Sequence, residues 1–219
     1  MPSVIAVHLT NVTFTESDEM TKNLLFDLGG VIMDIDRNRC VEAFKNLGMA
    51  NADSFFGEYR QKGPFLQLEA GTISPEEFRT AVRALIPTEV TDDEIDETLC
   101  RFLIGIPPER LSRLRELRGR GHKVWMLSNT NAIMWERFIL PEFGGDISEF
   151  FDGVVTSFEA GVCKPDEAIY RHAISKLGLN PADTTFFDDG AANVAAAEAL
   201  GFHGVHITAD NDFLSATQA

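Results

Sequence analysis

Basic side chains are scarce in this sequence. Nineteen lysines and arginines stand against 34 aspartates and glutamates, a formal charge of −15 over 219 residues. A surface of that sign repels nucleic acid and anionic membrane, which sets both aside as principal partners. It also repels phosphate esters, so a site for such a ligand needs local positive charge or a bound cation. Cysteine is sparse too. Cys40, Cys100 and Cys163 lie far apart with no metal-binding spacing, and so small and odd a count fits a reducing, cytoplasmic compartment. No run approaches the roughly 20 apolar residues that a membrane span requires. The opening MPSVIAVHLTNVTFTESDEM has no basic region ahead of its brief apolar run, so it reads as no secretory signal, and its Asn11-Val12-Thr13 sequon carries no meaning. Met20 directly precedes TKNLLFDLGG, where an α/β domain would naturally begin; residues 1–22 are read as an N-terminal extension, either a dispensable tail or an added edge strand. No stretch has the heptad pattern of a coiled-coil seam, so a monomer is the expectation.

What is present is the composition of an ordinary folded domain, 44% apolar and 24% charged. Residues 23–27 read as a short buried strand, and Gly29-Gly30 as a turn with unusual backbone angles. Val41, Phe44 and Leu47 then share a helical face that Gly48 stops. SPEEFRTAVRALIP carries a start signal: Ser74 to cap, Pro75 in the first turn, Glu77 to complete a capping box, and an apolar face of Phe78, Val82 and Leu85. Thr91 and Glu94 repeat the pattern ahead of Ile95, Leu99 and Phe102. Residues 37–105 are thus expected to be helical, without a strand. Beyond Gly105 and Pro107-Pro108, helix and strand alternate: HKVWMLSNT, FDGVVTS, TTFFDDG and HGVHI as strands, with helices between them. That alternation predicts α/β class: a Rossmann-like parallel sheet with helices on both faces, formed by residues 23–36 and 106–219 and interrupted by the helical module.

In open parallel sheets ligands collect beyond the carboxyl ends of the strands. Four strand ends or following loops here carry polar groups: Asp27; Ser128-Asn129-Thr130; Lys164; and Asp188-Asp189. Asp27 is a candidate nucleophile toward phosphorus. Asp27, Asp188 and Asp189 offer the hard oxygen ligands that Mg²⁺ takes. Ser128 and Asn129, where a strand gives way to a helix, can hold phosphate oxygens, and Lys164 adds a compact positive charge. Each has a structural alternative: a turn for Asp27, a helix cap for Ser128 or for Asp188-Asp189, a solvated loop for Lys164. Asp34 and Asp36 read as turn or cap residues, the five histidines as structural, and Trp125 and Trp135 as core.

Together these segments resemble the haloacid dehalogenase (HAD) superfamily of hydrolases: FDLGGVIMD is similar to its first motif, LSNT to its second, GVCKPDEAIY to its third and FFDDG to its fourth, over residues 23–207. The helical module resembles that family's C1 cap. The resemblance implies Asp27 as nucleophile and metal ligand, the Gly29 carbonyl as a backbone ligand, Asp189 as a direct ligand with Asp188 direct or through water, Ser128 and Lys164 as catalytic phosphate binders, and Mg²⁺ as cofactor. FDLGGVIMDIDRNR and AGTISPEEF look like the bacterial branch containing α-D-glucose-1-phosphate phosphatases.

One position departs from the usual pattern. The family's customary second acid is Gly29 here, so a proton donor for the leaving oxygen is missing, a function worth roughly 10²–10⁴-fold. Three readings follow. The first is a Mg²⁺-dependent phosphatase for a small phosphorylated metabolite such as a sugar phosphate, with Asp34 or Asp36 among the guesses for the base. The second is a metal-independent 2-haloacid dehalogenase, whose halide needs no proton. The third is a catalytically weak phosphate-binding protein. Specificity is expected from the module near Phe55–Phe65.

Overall fold

The computed structural model describes residues 22–56 and 63–218; the N-terminal extension, Tyr59 and its neighbours lie outside them. β1 (Asn23–Phe26) is followed by the short β2 (Asp34–Ile35), then by five helices: α1 (Arg37–Asn46), α2 (Ala52–Phe55), α3 (Gly63–Glu69), α4 (Pro75–Arg83) and α5 (Asp92–Cys100). β3 (Leu103–Gly105) leads into α6 (Pro108–Gly119) and β4 (Lys123–Ser128). Next come α7 (Ala132–Met134), a π-helical turn at Trp135–Ile139 and α8 (Leu140–Glu142), which run on as one element. The chain closes with β5 (Gly153–Thr156), α9 (Ser157–Ala160), α10 (Glu167–Leu177), β6 (Thr184–Asp188), α11 (Ala191–Glu198), β7 (His203–His206) and α12 (Phe213–Ala216).

Five strands form one parallel sheet in the order β5-β4-β1-β6-β7. The chain winds from β1 to one edge through β4 and β5, then returns to β1's other side with β6 and winds outward again. The direction of winding reverses at β1, so the crevice of the fold opens at its carboxyl end. Alternation along β1 sorts the core. Leu24 and Phe26 face a large cluster that continues into the helical insert through Cys40, Phe44, Phe78 and Leu99, whereas Leu25 faces a second cluster with Leu127, Phe186, Ile169 and Tyr170. The α/β class and the doubly covered parallel sheet are as expected.

Both capping boxes form, Ser74 with Glu77 and Thr91 with Glu94. Three local expectations do not hold. Residues 37–105 are not wholly helical, because β3 pairs antiparallel with β2; strands this short carry no readable period. α4 ends a turn early, leaving Leu85 37% exposed while Ile86 turns inward. Gly29 does not adopt a left-handed conformation; only Gly30 does, at φ +76°. Phe55, Phe56 and Phe65, whose orientation the sequence leaves open, are buried and packed ring against ring.

The insert is tied down by charge as well as packing. Asp96 on α5, almost wholly buried, accepts two hydrogen bonds from Arg79 of α4 at 2.9 and 2.7 Å, and Arg137 of the π-helical turn lies 3.0 Å away. Asp96→Ala is expected to cost about 2 kcal/mol, since both guanidiniums reach solvent and can rehydrate; a chemical-denaturation curve measures this, and no shift in midpoint would count against the link. No helix among the described residues is long and apolar enough to cross a membrane.

Candidate active site

Asp27 stands directly beyond β1. Its N–H donates to the Phe187 carbonyl of β6 at 2.8 Å, which keeps it in register with the sheet while its side chain emerges at the crest. Its Oδ1 accepts from the Leu28 N–H at 2.7 Å and lies 2.8 Å from Lys164 Nζ. The chain then doubles back, with Met33 N–H donating to the Leu28 carbonyl at 2.8 Å. Gly30 is indispensable to this turn: besides its positive φ, an added Cβ would lie 2.1 Å from Asp189 Oδ2. Gly29 is under no such constraint, because a Cβ there meets only Ile35 at an ordinary 3.5 Å.

β6 delivers the acid pair. Asp188 is fully buried and fully bonded: Oδ2 accepts from Lys164 Nζ at 2.6 Å, and Oδ1 from the Gly190 N–H and Asn193 Nδ2, both at 2.8 Å. Asp189 is the exposed member. One carboxylate oxygen from each of Asp27, Asp188 and Asp189 falls within 4.8 Å of the others. Three acids this close repel one another unless a cation lies among them.

Part of that cation is Lys164, whose ammonium makes three bonds with its three protons: to Asp27, to Asp188 and, at 2.9 Å, to the Leu127 carbonyl at the end of β4. Burial pulls its pKa down, but the Asp188 and Asp27 charges outweigh that and hold it above the ordinary lysine value. For Asp27 the balance runs the other way. Burial, abetted by Asp188 and Asp189 and opposed by Lys164, pushes its carboxyl up to about 7. A divalent cation would restore the charge balance that one lysine leaves short.

β4 ends in Ser128, buried, its hydroxyl engaged only at a long 3.5 Å with the Asn129 carbonyl. Asn129 borders the same space as Ser128, and its side-chain amide bonds the Lys164 backbone, donating to the carbonyl at 3.0 Å and accepting from the N–H at 2.8 Å. It therefore positions the lysine. The cap of the following helix is Asn131, which accepts from Met134 N–H, so Ser128 is not spent on capping. Asp36 caps α1 and Asp34 is paired with Arg110 at 2.7 Å, and neither borders the cavity.

A cavity of about 160 Å³ sits over these groups, bordered by Asp27, Gly29, Ser128, Asn129, Thr130 and Asp189 on the sheet side. Its far wall is Ile35, Phe102 and Leu103, with Glu69 from the end of α3. Glu69 escaped the sequence reading, although a signal exists. It shares the i, i+3, i+4 face of Phe65 and Leu68, both buried, and an acid on an apolar helical face is unusual.

A parallel sheet with a buried carboxylate at its switch point, a buried lysine beside it and an acid pair on the neighbouring strand is a site of the hydrolase kind. The family model for haloacid dehalogenase-like hydrolases matches residues 21–201, and the chain belongs to that family. It is 36% identical over 186 residues to the D-ribitol-5-phosphate phosphatase of Bacteroides thetaiotaomicron, covering 84% of this chain and 90% of that one. It is 30% identical over 193 residues to the sesquiterpene phosphatase astK of Aspergillus oryzae, covering 85% and 90%. A HAD-family enzyme of Bacteroides thetaiotaomicron, crystallised with magnesium and inorganic phosphate, superposes with a TM-score of 0.85 at 34% identity, covering 91% of this chain and 100% of that one.

Proposed function

We propose that this protein is a Mg²⁺-dependent phosphatase for a small phosphorylated metabolite of the sugar or polyol kind, acting through a phosphoryl group carried on Asp27. The observation that bears most weight is the trio of carboxylates within 4.8 Å beside one buried lysine. That arrangement suits a cation and a dianionic phosphate together and little else. Two phosphatases among the relatives, and a similar fold holding magnesium with phosphate, support the same reading.

In this reading Asp27 Oδ2, the oxygen that Leu28 and Lys164 leave free, attacks phosphorus. Ser128 and the Lys164 ammonium hold phosphate oxygens. The Asn129 amide keeps Lys164 in place. Asp27, Asp189 and the Gly29 carbonyl, with Asp188 directly or through water, would hold Mg²⁺, which supplies charge neutralisation at the phosphoryl oxygens. The helical insert serves as a cap that excludes water during transfer. Gly29 also suits a dehalogenase, but Asp188 and Asp189 would then crowd a nucleophile that needs no metal.

The deciding experiment is a panel of phosphate esters, D-ribitol 5-phosphate and glucose 1-phosphate among them, assayed with and without Mg²⁺ beside a 2-haloacid control. Turnover of an ester only with Mg²⁺ is expected; metal-independent halide release would overturn the assignment. Metal affinity should also depend on pH. Without metal, Asp27 holds a proton below about 7, and that proton competes with Mg²⁺. Titration calorimetry should therefore show affinity falling as pH drops from 8 to 6, by up to about tenfold per unit below 7. A flat profile would mean that Asp27 is not a ligand.

A further inference from the structure

We propose that Glu69 is the general acid and base of the reaction, brought in from the helical insert to do what position 29 cannot. The inference rests on the phosphatase reading above. Its ground is a cavity that holds a nucleophile but, along the sheet side, no carboxyl or ammonium group free to give a proton to a leaving oxygen. Lys164 has given all three protons to Asp27, Asp188 and Leu127. Asp188 is saturated by Lys164, Gly190 and Asn193. Asp189 is assigned to the metal. Gly29 has no side chain, though the backbone there would accept one.

Glu69 is the remaining acid bordering that cavity among the described residues. It is 4% exposed, and its Oε2 has no hydrogen-bond partner. A buried carboxyl oxygen without a partner is costly, and proteins seldom retain one unless a ligand completes it. Position 29 and Glu69 border the same space, so a carboxyl lost from the β1 turn is matched by one from the end of α3. The state of the group fits the task. Burial, and then the Asp27 charge, push it up to about 8 against the pull of Lys164, so it holds a proton at neutral pH.

The chemistry balances. Asp27 forms a bond to phosphorus as the bond to the ester oxygen breaks, and Glu69 gives its proton to that departing oxygen, releasing an alcohol. The Glu69 carboxylate then takes a proton from water as the water oxygen attacks phosphorus. The bond to Asp27 breaks, orthophosphate leaves and Glu69 is protonated again. One ester and one water become one alcohol and one phosphate.

The test compares Glu69→Gln with wild type on two esters at saturating Mg²⁺: an alkyl phosphate that the wild type turns over, and p-nitrophenyl phosphate, whose leaving group needs no proton. With the alkyl ester, kcat should fall roughly 10²–10⁴-fold. With the nitrophenyl ester the variant should release about one equivalent of nitrophenolate in a burst and then stall, with labelled phosphate retained on acid-precipitated protein, because the first step needs no acid but the second still needs a base. Glu69→Ala should give the same burst, which guards against a Gln-specific packing fault. A rise in KM with kcat unchanged, or turnover within threefold of wild type on both esters, would overturn the assignment while leaving the phosphatase reading intact. A wild type inactive on every ester with Mg²⁺ would overturn both.

Discussion

Asp27→Asn is expected to lower kcat by at least about 10⁴-fold, since an amide cannot take up the phosphoryl group. The same change should make the metal-free protein more stable at pH 8. The sign follows from the folded-state value. A carboxyl raised to about 7 on folding, from roughly 3.9 when unfolded, binds more protons in the folded state. Its contribution to stability is complete below about pH 4 and is lost as pH rises through 7. At pH 8 the wild type holds an ionised, 8% exposed Asp27 beside Asp188 and Asp189, and Asn removes that charge while still accepting from Lys164. A gain of about 2–4 kcal/mol is expected, read from denaturation in chelator at pH 8 and shrinking toward pH 5. Such a trade of activity against stability is usual where like charges are held together for chemistry. Substantial retained turnover, or a variant less stable than wild type at pH 8, would remove Asp27 from its proposed role.

How much of this was legible beforehand follows from the range of the interactions. The strands were readable because each is a compact apolar run between turn residues. The convergence of Asp27, Ser128, Lys164 and Asp188-Asp189 was readable because a parallel sheet gathers its carboxyl ends at one edge. Ser74 and Thr91 were readable because a capping box lies within four residues. What was not legible depends on contacts across the chain. Asn129 was read as a phosphate-binding residue from its place at a strand end; that its amide also spans 35 positions to bond the Lys164 backbone has no local signal. The aromatics Phe55, Phe56 and Phe65 have no helical period, and only their mutual stacking shows that they fill the insert's core. Gly29-Gly30 looked like a pair doing one job, but only Gly30 meets a neighbour that a side chain would strike. Glu69 lay hidden because α3, the seven-residue helix that ends on it, is too short for its period to stand out in the sequence.

Lys164→Ala should produce the second large effect, and Mg²⁺ should partly undo it. The lysine side chain is 1% exposed and touches two carboxylates and a carbonyl. Removing it leaves Asp188, itself wholly buried, facing Asp27 with no cation between them. Breaking a buried pair in this way costs about 3–5 kcal/mol, because the remaining charge is uncompensated. The loss should deepen as pH rises and Asp27 ionises, and ease in mild acid. Phosphate binding and kcat should fall together by about 10²–10³-fold with the loss of a charged donor at the phosphoryl group. A divalent cation at the acid cluster supplies the missing charge from the opposite side. It should bind the variant more tightly than wild type, because no ammonium repels it, and its stabilisation should reach about 2.7 kcal/mol at a hundred times its dissociation constant. Lys164→Met, which keeps most of the buried volume, separates the cavity cost from the charge cost. Thermal melts of wild type and both variants across a Mg²⁺ titration give the answer. A larger Mg²⁺-induced rise in Tm for the variants places lysine and metal as partners in neutralising one acidic cluster. A rise smaller than in wild type would mean that the ion binds elsewhere, and the proposed division of charge between Lys164 and Mg²⁺ would fall.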